Sequence, residues 1–65
     1  MKINKYKFEL QQARSGLNLT QVAAQCDMSR QNISRILRKG VCNPATLGKI
    51  ARALGVDPAD IIEED

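Results

Sequence analysis

The strongest constraint on the fold is the stretch from residue 18 to residue 40, which has the pattern of two short helices joined by a tight turn. Its first segment begins at Asn18, whose side chain can accept a hydrogen bond from a free backbone N–H while Gln21 reaches back to it. This capping arrangement predicts a helix over about residues 19–26. Three residues at helical spacing form its inward side: Val22, Ala23 and Cys26.

The second segment of this stretch has the same organisation. Asp27 tolerates the left-handed backbone conformation better than most residues and is the predicted turn. Ser29 is a second N-cap, so we predict another helix over about residues 30–38. Its inward face is apolar and consists of Ile33, Ile36 and Leu37.

The outward face of that second helix is polar and basic, and it has no carboxylate. It consists of Arg30, Gln31, Asn32, Ser34, Arg35 and Arg38. Guanidinium, amide and hydroxyl groups are the side chains that read base edges in a DNA groove and bind phosphates. A solvated charged face is the alternative interpretation, but the lack of acidic residues favours nucleic-acid binding.

Two motifs follow one another along the chain. The first is Gly16-Leu17-Asn18-x-x-x-Val22-Ala23-x-x-Cys26-Asp27-Met28-Ser29-Arg30-Gln31-x-Ile33-Ser34-Arg35-Ile36. The second is Asn43-Pro44-x-x-Leu47-x-Lys49-Ile50-Ala51-x-Ala53-Leu54-Gly55-Val56. Together they cover roughly residues 10–62, and they resemble the XRE-type, lambda-repressor/Cro-like helix-turn-helix family. This resemblance implies an all-α fold, a compact five-helix DNA-binding domain.

Two departures from the family pattern affect positions with a role in phosphate binding or ion pairing. Leu19 replaces a glutamine that often contacts phosphate in the family. The polar residues beside it that could take over this contact, besides free N–H groups at the helix start, are Asn18, Thr20 and Gln21. For Asn18 and Gln21, pure helix capping is the alternative role, and capping is compatible with a phosphate contact. Leu37 replaces a glutamate that usually pairs with the first-helix arginine, so that partner of Arg14 is missing here.

The first helix is predicted over residues 5–15 and ends at Gly16, which can adopt the left-handed cap. The apolar residues that should face inward at helical spacing are Tyr6, Leu10 and Ala13. Phe8 lies off this stripe, and we expect it either to cover an edge of the core or to belong to a partner surface. Residues 1–4 are expected to be frayed.

The fourth helix is predicted to begin with Asn43 as N-cap and Pro44 at the first helical position, and to end at Gly55. Its inward stripe consists of Leu47, Ile50, Ala51 and Leu54.

A short fifth helix is predicted from residue 59 to about residue 63, with Asp57 as its cap. Residues 63–65 should form an acidic, solvated tail. We therefore predict one domain over residues 1–65 whose helix-turn-helix core covers about residues 18–38.

The charge distribution is asymmetric. The net charge is +3, but residues 30–39 carry four positive charges and no negative one, while five of the seven acidic residues lie in the last nine. One basic end and one acidic end are expected of a nucleic-acid binder.

The two cysteines do not form a recognisable site. Cys26 takes a position that usually holds a buried leucine, so we interpret it as a small core residue. Cys42 lies in a predicted loop and is expected to be an inert thiol, with a weak redox role as the alternative. The chain has no metal-ligand spacing, disulfide framework, membrane-spanning run or signal peptide. We therefore expect no cofactor, no metal and no membrane partner, and a cytoplasmic protein of a bacterium or a phage-infected cell.

The resemblance implies that the helix over residues 30–38 enters the major groove with its first turn nearest the base edges. The residues expected to contact bases are Arg30, Gln31, Asn32 and Arg35. The residues expected to contact phosphates are Asn18, Thr20, Gln21, Ser29, Ser34, Arg38, Lys39 and Asn43.

We therefore expect a sequence-specific regulator of transcription that binds double-stranded DNA, a small phage-like or mobile-element repressor acting by promoter occupancy. It should bind a pseudo-palindromic operator as a homodimer, formed in solution or only on DNA, with the interface around residues 54–62. The alternative is an antitoxin-like module that binds a partner protein and binds DNA secondarily, which an apolar patch on the fifth helix would support. An enzyme is not expected, because the chain has no histidine, paired carboxylates or phosphate-binding glycine loop.

Overall fold

Four α-helices and one turn of 3₁₀ helix form the fold in a computed structural model that describes residues 1–63. The helices are α1 (Lys5–Ser15), α2 (Leu19–Gln25), α3 (Arg30–Lys39) and α4 (Pro44–Leu54), and the 3₁₀ turn is Pro58–Asp60. The all-α class is confirmed. Glu64 and Asp65 of the predicted acidic tail lie outside the described residues.

A side-chain cap begins each α-helix. The Asn18 side-chain oxygen accepts from the Gln21 N–H at 2.8 Å, and the Gln21 side-chain oxygen accepts from the Asn18 N–H at 2.8 Å, which completes the predicted capping box. Ser29 and Asn43 each accept from the N–H three residues on, at 3.1 and 2.7 Å. Asn4 caps α1 in the same way, which the sequence analysis did not predict. Each such cap contributes about 1 kcal/mol.

The turn between α2 and α3 is formed as predicted. Asp27 has φ +58, the left-handed conformation, and is the only described non-glycine residue with a positive φ. The N–H of Met28 donates to the carbonyl of Ala23 at 3.0 Å, which closes the turn against the end of α2. The direction in which α3 leaves α2 is therefore set by backbone geometry.

The core is one aliphatic cluster with a single aromatic ring. Its buried members are Ile3, Phe8, Val22, Ala23, Cys26, Ile33, Leu47, Ile50, Ala51, Ala53, Leu54 and Ile61. α2 packs against both α3 and α4, and α1 packs against α4 and the 3₁₀ turn. The inward stripes predicted for α2 and α4 are confirmed, and Ile33 of α3 is fully buried.

The predicted inward stripe of α1 is wrong. Tyr6 is 70% exposed and Leu10 51% exposed, and Ala13 is also exposed, whereas Phe8 is only 1% exposed. The helix is rotated so that the one phenylalanine enters the core, because its ring has no polar atom to solvate, while the tyrosine keeps its hydroxyl in water. In this orientation of α1 the side-chain oxygen of Gln11 is buried and has no hydrogen-bond partner among the described residues.

Residues 1–4 are not frayed, contrary to the prediction. Lys2 forms an antiparallel bridge with Val41, and Ile3 forms one with Ile62. The backbone hydrogen bonds, all 2.9–3.0 Å, run from Ile3 N to Gly40 O, Asn4 N to Ile61 O, Cys42 N to Met1 O and Glu63 N to Lys2 O. Because Ile3 is only 4% exposed, its side chain anchors this segment in the core.

The predicted fifth α-helix is also corrected. Its cap forms, since the Asp57 carboxylate accepts from the Ala59 N–H at 2.9 Å, but the helix ends after one 3₁₀ turn. The residues that would continue it instead pair with the N-terminal segment: Ile61 is fully buried and Ile62 bridges to Ile3. Backbone pairing along both sides of residues 2–4 thus replaces the predicted last helical turn.

Both cysteines are free thiols. Cys26 is buried, as predicted, and its Sγ donates to the Lys49 carbonyl at 3.6 Å. Burial raises the pKa of the Cys26 thiol, and burial likewise raises the pKa of the half-buried Cys42 thiol. Neither thiol is therefore activated as a nucleophile at neutral pH.

The rotation of α1 yields a first prediction. Replacing Phe8 by alanine should lower the free energy of unfolding by about 3–5 kcal/mol, because it empties a buried site. Leu10→Ala, on the exposed side of the same helix, should change it by only about 0.5 kcal/mol. Urea denaturation of the two variants and the wild type measures both values. A larger loss for Leu10→Ala than for Phe8→Ala would restore the stripe predicted from the sequence.

The pairing of residues 1–4 yields a second prediction. The amide protons of Ile3 and Asn4 should exchange with solvent far more slowly than in a free peptide, because each donates to a carbonyl of another segment. The amide of Lys2 serves as the internal reference. Native-state hydrogen exchange by NMR measures all three. Exchange of Ile3 and Asn4 at the rate of an unstructured chain would show that this end is frayed after all.

Candidate nucleic-acid interface

A row of three long polar side chains runs along the outside of α3. Gln31, Arg35 and Arg38 stand at helical spacing on one line and are exposed. Two shallow depressions lie side by side along α3, and all three residues line both of them. Ser29 and Asn32 complete one depression, whereas Arg30 and Ser34 complete the other. We call this row the ridge. The surface around it carries most of the predicted site residues.

The inward side of α3 holds this ridge in place. Ile33 is fully buried, and Ile36 and Leu37 are half-buried and pack against the core. Ser29 caps the N-terminal end and the left-handed Gly40 ends the helix. With 10 residues, α3 is about 15 Å long, and a helix of ordinary diameter fits the roughly 12 Å wide major groove of B-DNA.

One hydrogen-bond chain on this surface connects three side chains. Arg35 Nη2 donates to Asn32 Oδ1 at 2.8 Å. The NH₂ group of the same Asn32 amide donates to the sulfur of Met28 at 3.4 Å. Asn32 is half-buried, unlike the ridge residues, and both ends of its amide are engaged.

All charged side chains that line these two depressions are positive. Residues 28–56 include no acidic residue, and α3 ends on Arg38 and Lys39, both exposed. Cations in the last turn of a helix are stabilised by its dipole. A phosphate approaching the end of α3 therefore meets two cations that the fold itself favours at this position.

The predicted phosphate contacts at the start of α2 lie apart from the ridge. Asn18, Thr20 and Gln21 are exposed, and Asn18 borders a separate depression beside Ala13 and Gly16 of the α1 end. The capping box uses the two amide oxygens of Asn18 and Gln21. It does not use their NH₂ groups, which are the donors that phosphate oxygens accept from.

Three other predicted phosphate contacts lie at helix ends. Ser29 lies at the start of α3 and Lys39 at its end, while Asn43 is exposed at the start of α4. Ser29 and Asn43 each accept a hydrogen bond as an N-cap, so each has a structural role besides the predicted contact.

Lys5 is not among the predicted contact residues. This residue lines a groove between α1 and α3 together with Ser34 and Arg38, and Leu19 of α2 contributes to the same groove. Glu9 also lines it, which makes this edge less positive than the ridge. No local pattern marks Lys5, because its place in this groove depends on where the fold puts α1 relative to α3.

Two features are absent from the part of the chain that the structure describes. No helix within residues 1–63 is long and apolar enough to cross a bilayer. The same residues contain no group of three or more side chains suited to hold a metal ion.

Comparison with known proteins identifies the family. The sequence pattern of the helix-turn-helix family HTH_3 matches residues 10–61, which begin within α1 and end at the buried Ile61. Comparison with curated proteins and with solved structures gives no match to either. The family match covers most of the chain and agrees with the two motifs and with the capped α2–turn–α3 geometry. The chain therefore belongs to the XRE-type, lambda-repressor-like helix-turn-helix family of DNA-binding regulators.

Proposed function

We propose that this regulator is a repressor that binds a specific double-stranded DNA operator and acts by occupying the promoter. The observation that carries the proposal is the ridge of Gln31, Arg35 and Arg38, exposed on a rigid helix with no carboxylate among residues 30–39. A small phage-like or mobile-element repressor working in the bacterial cytoplasm is the form we propose.

Sequence readout would come from the first two turns of α3 in the major groove. Arginine pairs best with guanine, and glutamine or asparagine with adenine, each good bidentate pair contributing about 1–3 kcal/mol of discrimination. Gln31 and Arg35 belong to the ridge, and Arg30 lies on its flank. Arg38 and Lys39 would neutralise phosphates beside the groove and fix the register without reading sequence.

The dimensions of the chain support binding as a homodimer. The domain measures 30 × 22 × 18 Å, whereas successive major-groove faces are about 34–36 Å apart. One copy can therefore present α3 to one half-site only, and two copies would read a pseudo-palindromic operator. The interface expected around residues 54–62 has few apolar groups to offer, since Leu54 and Ile61 are buried in the core of their own chain.

An antitoxin-like module that binds a partner protein is the second candidate. The exposed apolar patch expected for it after residue 57 is not found within residues 58–63: Ile61 is buried, Ile62 is half-buried against the core, and the exposed residues there are Pro58, Ala59, Asp60 and Glu63. Its support comes instead from α1, where Tyr6 and Leu10 are large exposed apolar side chains. The DNA-binding role is favoured because the ridge has the side chains that contact bases and phosphates, and because the family is one of DNA-binding regulators.

Readout and phosphate binding should separate in a selection experiment. Arg30→Ala or Gln31→Ala should relax the base preference at one operator position, by about 1–3 kcal/mol, because each removes base-edge donors. Lys39→Ala should weaken binding to all sequences alike, because it removes a phosphate contact. Selection of duplexes from a random pool followed by sequencing measures each profile. Lys49→Ala is the matched control, since Lys49 is an exposed lysine on α4 outside the proposed interface. Identical profiles for all four variants would refute the assignment of α3.

The salt dependence of binding should distinguish the two candidate functions. The logarithm of the affinity for the operator should fall linearly with the logarithm of the salt concentration, with a slope of about −0.9 for each phosphate contacted. Lys39→Ala should reduce the slope by about 1 for each bound copy, while Lys49→Ala should leave it unchanged. Fluorescence anisotropy over a salt series measures these slopes. A nearly flat slope would contradict DNA binding through phosphates and favour a partner held by the apolar side of α1.

A further inference from the structure

We infer that Asn32 does not read a base itself but positions Arg35, and that Arg35 thereby selects a guanine in each operator half-site. The inference rests on the proposed DNA-binding function and deepens it. It assigns different roles to two residues that the sequence analysis treated alike, and it names the base that one of them reads.

The hydrogen bonds of Asn32 argue against base reading. An asparagine reads adenine with its oxygen accepting from N6 and its NH₂ group donating to N7. Here the oxygen already accepts from Arg35 at 2.8 Å and the NH₂ group donates to the Met28 sulfur at 3.4 Å. Each bond takes one of the two hydrogen-bonding positions that the oxygen and the NH₂ group each have, so the amide could pair with a base only while it is shared with Arg35 and Met28. Its half-buried position beside the ridge also makes it shorter in reach than its neighbours.

The chemistry of the pair fixes which way the amide faces. Arginine has donors only, so the amide oxygen must be the atom that faces Arg35. The NH₂ group then faces Met28, whose thioether is a weak acceptor. The turn residue Met28 is itself half-buried and packed against the core. The orientation of Arg35 is thus tied through Asn32 to the rigid α2–α3 turn.

The remaining donors of Arg35 suit guanine. The guanidinium has five N–H groups, and the bond to Asn32 uses one of them. The others are sufficient for the bidentate contact to O6 and N7 of guanine, the commonest specific contact of arginine. A free arginine side chain loses rotamer freedom when it docks, and this cost is reduced when the side chain is already held. Preorganisation by Asn32 should therefore increase discrimination at the Arg35 base.

Three variants test the inference on the operator that the wild-type chain selects. Arg35→Ala should lose the guanine preference at one position, by about 5- to 100-fold. Asn32→Ala should lower the preference at that same position by about 2- to 10-fold and leave the other positions unchanged. In the Arg35→Ala background, Asn32→Ala should have no further effect. Binding of each protein is measured to operators carrying each base at that position, and to one carrying 7-deazaguanine, which lacks the N7 acceptor.

Asn32→Asp separates positioning from reading. The carboxylate keeps the acceptor for Arg35 but cannot donate to adenine N7. The guanine preference should persist in this variant, while affinity for all operators falls alike because a negative charge has been added near phosphates. Thermal unfolding of all variants confirms that each is folded at the assay temperature.

The outcomes are distinguishable. If Asn32→Ala relaxes a second position, or still acts when Arg35 is absent, Asn32 reads a base and the inference is overturned while the proposed function stands. Full guanine preference in Asn32→Ala overturns it in the same way, as does full wild-type affinity for the operator carrying 7-deazaguanine. If the wild-type chain selects no consensus sequence, both the inference and the proposed function are overturned.

Discussion

The burial of Ile33 is the interaction on which the candidate interface depends. Its side chain is fully buried in the cluster that also contains Val22 of α2 and Ile50 of α4. Burying an isoleucine contributes about 1.5–3 kcal/mol, and a core in a chain this small rarely supplies more than about 3–5 kcal/mol in total. Losing the burial of Ile33 would therefore remove a free energy comparable with the net stability that a core of this size supplies. Displacing α3 would expose Ile33 and open the core cluster that it shares with α2 and α4.

The N-terminal segment, residues 1–4, holds the C-terminal end of α3 in place. Gly40, which ends the helix, offers its carbonyl to Ile3, and Cys42 pairs with Met1. Asn4 on the same segment donates to the carbonyl of Ile61. A short stretch of chain thus connects the exit of α3 to the closing turn of the fold, so that both ends of the helix are tied to the core. This explains why a domain with only four short α-helices can present a rigid surface.

The sequence predicted those elements whose signals are local. Caps at Asn18, Ser29 and Asn43 and the left-handed turn at Asp27 depend on residues within a few positions of one another, and all of them form. Phe8 and the Ile3 pairing depend on distant packing, and helical spacing on α1 pointed to the wrong face. For the interface, the sequence marked every residue of the α3 ridge but neither the Asn32–Arg35 bond nor Lys5. The Asn32–Arg35 bond depends on side-chain rotamers, and the place of Lys5 depends on where the fold puts α1 relative to α3. The base and phosphate contacts themselves stay predictions.

The choice of capping residues affects both the stability of the helices and the charge at their starts. A capping asparagine accepts the helix N–H with its oxygen, so the hydrogen-bonding group that it leaves to the exterior is an NH₂ donor. Asn18 and Asn43 both cap in this way, and Asn4 does so at α1, beside Lys5. None of the four α-helices has an acidic residue in its first turn. Carboxylate caps would have stabilised the same helices but repelled phosphate. Using amides and a serine instead keeps the helix starts stable and leaves them open to an anionic partner.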